Sequence, residues 1–484
     1  MGDPEKTRLH SRWRSADPVL HAQALADQAF SRAAGAPLVE GNRVRLLRDA
    51  AENYPAWLAA IAAARHYVHF ENYIVHDDLV GRMFADALLA KVRDGVRVRV
   101  LYDWLGGLGA AGRGYWNRLR DGGVEVRCYN PPRFDSPLGW LSRDHRKMIV
   151  VDGTVGFVTG LCVGQMWAGN PAKGIEPWRD TGVEVRGPAV TDIERAFARV
   201  WALQGDPLPE MEPRTEPESA GLDGVGMRIV ASEPSIGGTF RLDQLVVAFA
   251  RRRVWLTDAY YVGSTVYMQA LITAARDGVD VRLLLPGTSD VPVVSSLSRS
   301  GYRPLLEAGV RIYEWNGLML HAKTAVVDGR WARVGSTNLN LASWFGNCEL
   351  DAVIEDERFA REMEAMYLED LSRATEIILN EKSKVRAPGR PSPRRHPRQS
   401  SGSASRAATG AVRISNAIGA AMANRRRIES PESRLMVIAG LVLLVAAIIF
   451  GFYPQVLAYP TSILLVWFGF ALVCRGWRAW RSRS

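Results

Sequence analysis

Four short strings occur twice in this chain, in the same order. "HFENYIV" (His69–Val75) resembles "LTDAYYV" (Leu256–Val262), and "RDGVRVRVLYD" (Arg93–Asp103) matches "RDGVDVRLLLP" (Arg276–Pro286). "GGVEVRCYN" (Gly122–Asn130) matches "AGVRIYEWN" (Ala308–Asn316), and "HRKMIVVDG" (His145–Gly153) matches "HAKTAVVDG" (His321–Gly329). The offsets stay between 176 and 187 residues, which makes the chain a tandem duplication. Each half must therefore build the same unit, and 484 residues are in any case too many for one core.

Helical and strand periods alternate within each half. "GRMFADALLAKVRDG" spaces its apolar residues as one helix face and stops at Gly95, after which "VRVRVLYD" alternates with period two. "KMIVVD" and "TVGFVTG" are short strands meeting at Asp152-Gly153, a hairpin signal. The expected fold class is α/β, as two tandem α/β sandwich domains in a pseudo-two-fold arrangement. The boundaries follow: a helical or irregular extension over 1–37, a first domain over 38–205 and a second over 206–381.

The chain has eight histidines, and two of them open the pattern His-x-Lys-x-x-x-x-Asp: His145, Lys147, Asp152 and His321, Lys323, Asp328. Residues two apart on a strand share a face, so each His and Lys can reach one ligand. The odd offset of each Asp places it near the turn. Two such pairs face to face suit displacement at phosphorus. One imidazole attacks while the other protonates the leaving alkoxide, and the lysines neutralise the non-bridging oxygens, so no metal or other cofactor is expected. His66, His69 and His76 cluster as well, but the second copy has none of them, which favours strand-surface or helix-end histidines over a metal site.

With these paired motifs, residues 38–380 resemble the phospholipase D superfamily. "GSTNLN" (Gly335–Asn340) looks like that family's Gly-Ser-x-Asn segment, and the resemblance implies phosphate contacts from Ser336 and Asn338. Asp180 of "WRD" and Glu349 lie about 30 residues after the two motif histidines, and the resemblance implies that these carboxylates orient the imidazoles. The first half departs from the pattern, with Thr159, Gly160 and Cys162 where the second has Gly335, Ser336 and Asn338. Thr159 or a backbone N–H would then substitute for the missing amide. "EPWRDTGVEVRGPAV" and the opening of the first half look most like bacterial cardiolipin synthases, in which two phosphatidylglycerols are joined with release of glycerol. The implied reaction is phosphatidyl transfer through a phosphatidyl-histidine on His145, with His321 as acid and then base. Hydrolysis by a phospholipase D, giving phosphatidic acid, is the alternative, since only the acceptor differs.

Charge bears on the partner. Residues 382–434 hold 13 Lys/Arg and two acids, and the tail 475–484 adds four arginines, so residues 1–381 carry about −5 of the total of +10. A mildly acidic catalytic part disfavours a nucleic-acid groove, leaving a phospholipid, with phosphatidylglycerol implied by the resemblance, as the substrate. Residues 382–434 read as a basic disordered linker. Leu435–Cys474 contains no charge and holds Pro454 and Pro460, which predicts a transmembrane helical hairpin over 435–474. Arginines on both sides would put its ends, and the catalytic domains, on the cytoplasmic face of the cell membrane, against an anionic lipid surface.

Overall fold

The computed structural model describes residues 18–132, 141–209, 224–379, 385–386, 441, 444–445, 447–453 and 455–481. The helix Pro18–Ala34 precedes the first half, which runs β1 (Val39–Arg48), β2 (Tyr67–Asn72), β3 (Arg97–Asp103), β4 (Glu125–Tyr129), the two-residue β5 (Arg143–Asp144), β6 (Lys147–Val151), β7 (Val155–Thr159) and β8 (Thr181–Arg186). The second half runs β9 (Val225–Ser232), β10 (Arg253–Thr257), β11 (Asp280–Pro286), β12 (Arg311–Trp315), β13 (Thr324–Val327), β14 (Trp331–Gly335), β15 (Asn347–Glu355) and β16 (Ala374–Leu379).

The two sheets have one topology. In the first, the order is β1-β8-β7-β6-β2-β3-β4, and only the β2–β3 and β3–β4 pairs are parallel. In the second, β9-β15-β14-β13-β10-β11-β12 repeats that order and those senses. The sheets join through β1, which pairs with β9 at Val39 and Asn42 and then with β8 from Arg43 to Arg48. The parallel pairs need crossover helices, and Leu79–Arg93 and Thr265–Arg276 supply them at equivalent places. Asp78 caps the first through the N–H of Gly81, and Ser264 caps the second through that of Tyr267.

One core joins residues from both halves. It contains Phe197 and Trp201 of the helix Val190–Ala202, and Phe359 and Met363 of the helix Glu357–Ser372, packed between the sheets. Two outer cores fill the far faces. The halves are therefore docked through apolar surface, and the motif histidines and lysines are buried along this seam.

The transmembrane hairpin expected over 435–474 is corrected by the structure. Among the described residues no helix is long and apolar enough to cross a membrane. Instead of a turn at Pro460, Gln455–Arg481 is one helix that takes Pro460 inside it and continues past Cys474 into Arg475, Arg478 and Arg481, while Pro454 lies outside the described residues. A proline near a helix start removes few backbone bonds, so it does not have to break the run. Of the first expected span, residues 441, 444–445 and 447–452 are helical, and 435–440, 442–443, 446 and 454 lie outside the described residues. The multi-pass cell-membrane placement with cytoplasmic catalytic domains rested on that hairpin and falls with it. Of the basic linker, Val385–Arg386 form a short strand beside β16, while 382–384 and 387–434 lie outside the described residues, as do 1–17 of the N-terminal extension.

Candidate active site

Each motif histidine is seated on a strand of the other half. Beside β15, β5 pairs in parallel with Asn347 and Cys348, and the His145 N–H donates to the Cys348 carbonyl at 2.9 Å. The next residue of β15 is Glu349, whose Oε2 lies 2.9 Å from His145 Nδ1. The second motif mirrors this. Leu320 forms a parallel bridge to Arg179, the His321 N–H donates to the Arg179 carbonyl at 2.7 Å, and His321 Nδ1 lies 2.6 Å from Asp180 Oδ2. The carboxylates are thus exchanged between the halves, and each imidazole is held through Nδ1.

Arg179 rivets this seam. Its guanidinium donates to both oxygens of Asp370 at 2.8 Å and to Asp49 at 3.1 Å, bridging the two halves beside the carboxylate it precedes. The sequence reading passed over it, although its place in "WRD" was the available signal.

Lys147 and Lys323 line the cleft with their histidines. Each donates Nζ to the carbonyl two residues back, and Lys323 Nζ also lies 3.0 Å from His321 Nδ1. Tyr73 packs edge-on to His145 at 4.8 Å between centroids, and Tyr260 to His321 at 5.8 Å. The repeat aligns these two tyrosines, a signal present in the sequence. Trp167 and Trp178 add a further wall at 5.6 and 5.8 Å from His321.

The remaining candidates lie behind these groups. Asp152 accepts from the N–H groups of Arg65, His66 and Tyr67, and Asp328 from those of Arg251, Arg252 and Arg253, all between 2.7 and 2.9 Å. They pin the turn ahead of β2 and β10 and lie at the far end of the motif strands. Ser336 Oγ donates to Glu349 Oε2 at 2.6 Å, steadying the carboxylate. Thr159 Oγ1 donates to the Thr181 carbonyl and accepts from Leu161 N–H. Asn338 is buried, with Nδ2 3.5 Å from Ser343 Oγ and no partner for Oδ1 among the described residues. Cys162, in the equivalent place, is buried, and burial raises its thiol pKa against the pull of Lys147 and Lys323. His69 is not on a strand surface: it is stacked in the core between Tyr67 and Phe197. Among the described residues no group of three or more His, Cys, Asp or Glu is arranged to hold a metal.

The electrostatics separate the two histidines. Burial, then Lys147, Lys323 and His321, push His145 well below the usual imidazole range. Burial and Lys323 push His321 down to about 4, with Asp180 pulling back. Burial raises Glu349, whereas Asp180 is held below its usual range because His321 and Lys323 outweigh burial. Burial also brings Lys323 down to about 8. His321 therefore has the firmer anion behind it. Gly160 maintains that arrangement, since a Cβ there would collide with the Asp180 carboxylate. Gly160→Ser, which would restore symmetry with Ser336, is expected to lower kcat roughly 10–100-fold by displacing Asp180, read in steady-state turnover of a phosphodiester substrate.

The family described as "Cardiolipin synthase, PLD-like domain" matches residues 57–201 and again 247–371. A cardiolipin synthase of Alkalihalophilus pseudofirmus is 33% identical over 345 residues, covering 70% of this chain and 68% of that protein. Cardiolipin synthase A of Pseudomonas aeruginosa is 36% identical over 369 residues, covering 74% and 73%. In fold, the chain resembles the crystal structure of phosphatidylserine synthase from Haemophilus influenzae, with a TM-score of 0.55 at 13% identity over 72% of this chain and 91% of that one.

Proposed function

The chain belongs to the cardiolipin-synthase-like family of the phospholipase D superfamily, and from that premise we propose that it joins two phosphatidylglycerols, releasing glycerol, through a phosphatidyl group held on His145. The membership makes it a phosphatidyltransferase-type enzyme, and the lipid class follows its relatives. The observation that carries the roles is the unequal pair of crossed carboxylates behind the imidazoles.

Burial and the neighbouring lysines hold His145 neutral, so its Nε2 lone pair is available to attack phosphorus. Glu349 orients the ring and stabilises the cation that forms on it. His321, backed by an ionised Asp180, holds the proton that goes to the leaving glycerol oxygen. In the second step the same ring takes the proton from the incoming glycerol hydroxyl, and the phosphorus–nitrogen bond to His145 breaks. With His321 near 4, binding of a phosphodiester must be coupled to uptake of a proton from solvent: its negative charge offsets the two lysines and raises the imidazole into range. Lys147 and Lys323 then face the two non-bridging oxygens.

The test is product identity. Purified protein with phosphatidylglycerol in mixed micelles is expected to yield cardiolipin and glycerol, identified by mass. Phosphatidic acid alone would assign the chain to hydrolysis.

A further inference from the structure

The equivalent tyrosines of the two half-sites are tied to opposite charges. Tyr73, packed on His145, accepts through its hydroxyl from Arg143 at 2.9 Å. Tyr260, packed on His321, donates its hydroxyl to Asp290 Oδ1 at 2.9 Å. Lys147 and Lys323 stand 4.9 and 5.8 Å from the centres of these rings, so both tyrosines border the reacting groups. Arg143 lies two residues before His145, where the second half has Met319. Asp290 is exposed in the turn after β11, and Thr288 Oγ1 fastens that turn to the Leu318 carbonyl, on the approach to His321. After β3 the first half has instead the four-residue helix Trp104–Gly107, capped by Asp103, whose buried carboxylate is taken up by the N–H groups of Gly106 and Asp144. One end of the cleft is thus bordered by a guanidinium, which only donates hydrogen bonds, and the other by a carboxylate, which only accepts them.

We infer that Asp290 and Tyr260 form a polyol subsite that reads the free hydroxyls of a glycerol headgroup beside His321. This deepens the reading of phosphatidyl transfer and rests on it. The departing alcohol and the arriving one exchange their proton with the same imidazole, so they occupy the same side of the cleft in turn. Both are glycerol in the proposed reaction. A glycerol held there by one oxygen still has hydroxyls that need acceptors, and Asp290 supplies charged ones, whereas at the Arg143 end Glu349 is engaged by His145, Ser336 and Asn347 and Asp103 by backbone N–H groups. A monohydric alcohol can use the reacting position but gains nothing from Asp290. Because that carboxylate is exposed, the preference is graded and not absolute.

The full chain can be given phosphatidylglycerol in mixed micelles with equal concentrations of carbon-13 glycerol and ethanol. The ratio of labelled phosphatidylglycerol to phosphatidylethanol is then read by mass spectrometry. Asp290→Ala is expected to lower this ratio roughly tenfold relative to the unaltered chain. Tyr260→Phe, which keeps the ring on His321 and leaves the surface carboxylate in place, should lower it in the same direction. An unchanged ratio in variants that still transfer overturns the subsite. If the unaltered chain forms phosphatidic acid and neither alcohol product, the transfer reading itself fails and takes the subsite with it.

Discussion

His145→Ala is expected to cost more than about 10⁴-fold in turnover and to form no covalent lipid adduct. The variant loses the proposed nucleophile, and the rest of the site can still bind a phosphodiester. His321→Ala should behave differently. Its missing proton donor slows expulsion of glycerol, and its missing base leaves the next hydroxyl unactivated. A phosphatidyl donor with a p-nitrophenol leaving group needs no acid for departure, so with it His321→Ala should release one equivalent of nitrophenol and stall. Intact mass and peptide mapping should then place the phosphatidyl group on His145. An adduct in His145→Ala, with none in His321→Ala, would reverse the two roles.

Glu349→Gln is expected to lower kcat roughly 10³–10⁴-fold, the scale seen when an orienting carboxylate behind a catalytic histidine is neutralised. Its position makes the prediction specific, because Glu349 lies 204 residues from the imidazole it holds. The carboxylate is itself fixed by Ser336 Oγ at 2.6 Å and Asn347 Nδ2 at 3.1 Å, so an amide in its place loses charge and disturbs both bonds. The crossed pairing predicts a pattern with the nitrophenyl donor. Asp180→Asn weakens only the acid and should keep the first burst, while Glu349→Gln weakens the nucleophile and should lose it. The opposite pattern would mean that each carboxylate serves the histidine of its own half.

Much of the fold was legible because the duplication applied the same constraint twice. The strand and helix periods of "VRVRVLYD" and "GRMFADALLAKVRDG" appear in the structure as β3 and the helix Leu79–Arg93. The exchange of carboxylates was not legible. It depends on β5, two residues long, and on the single bridge from Leu320 to Arg179, and pairings so short leave no periodicity to read. For Asp152 and Asp328 the odd offset from the histidine points to a place near the turn, while the three backbone N–H groups that each one caps come from another segment and leave no mark in that spacing. The apolar run over 435–474 misled for another reason. Composition marks how much of a segment is apolar, whereas where a helix begins and ends depends on how its prolines are accommodated.

The exchanged carboxylates also put the two catalytic steps on a clock during synthesis. Asp180 has already left the ribosome when His321 is made 141 residues later, so the proton-handling pair can close as soon as its second member appears. His145 must wait for the 204 residues up to Glu349, roughly 10–40 s at ordinary elongation rates. Until then its ring has no anion behind it. A nascent or truncated first half therefore presents His145 without the carboxylate that orients it, and the paired site is complete only when nearly the whole duplicated unit has been made.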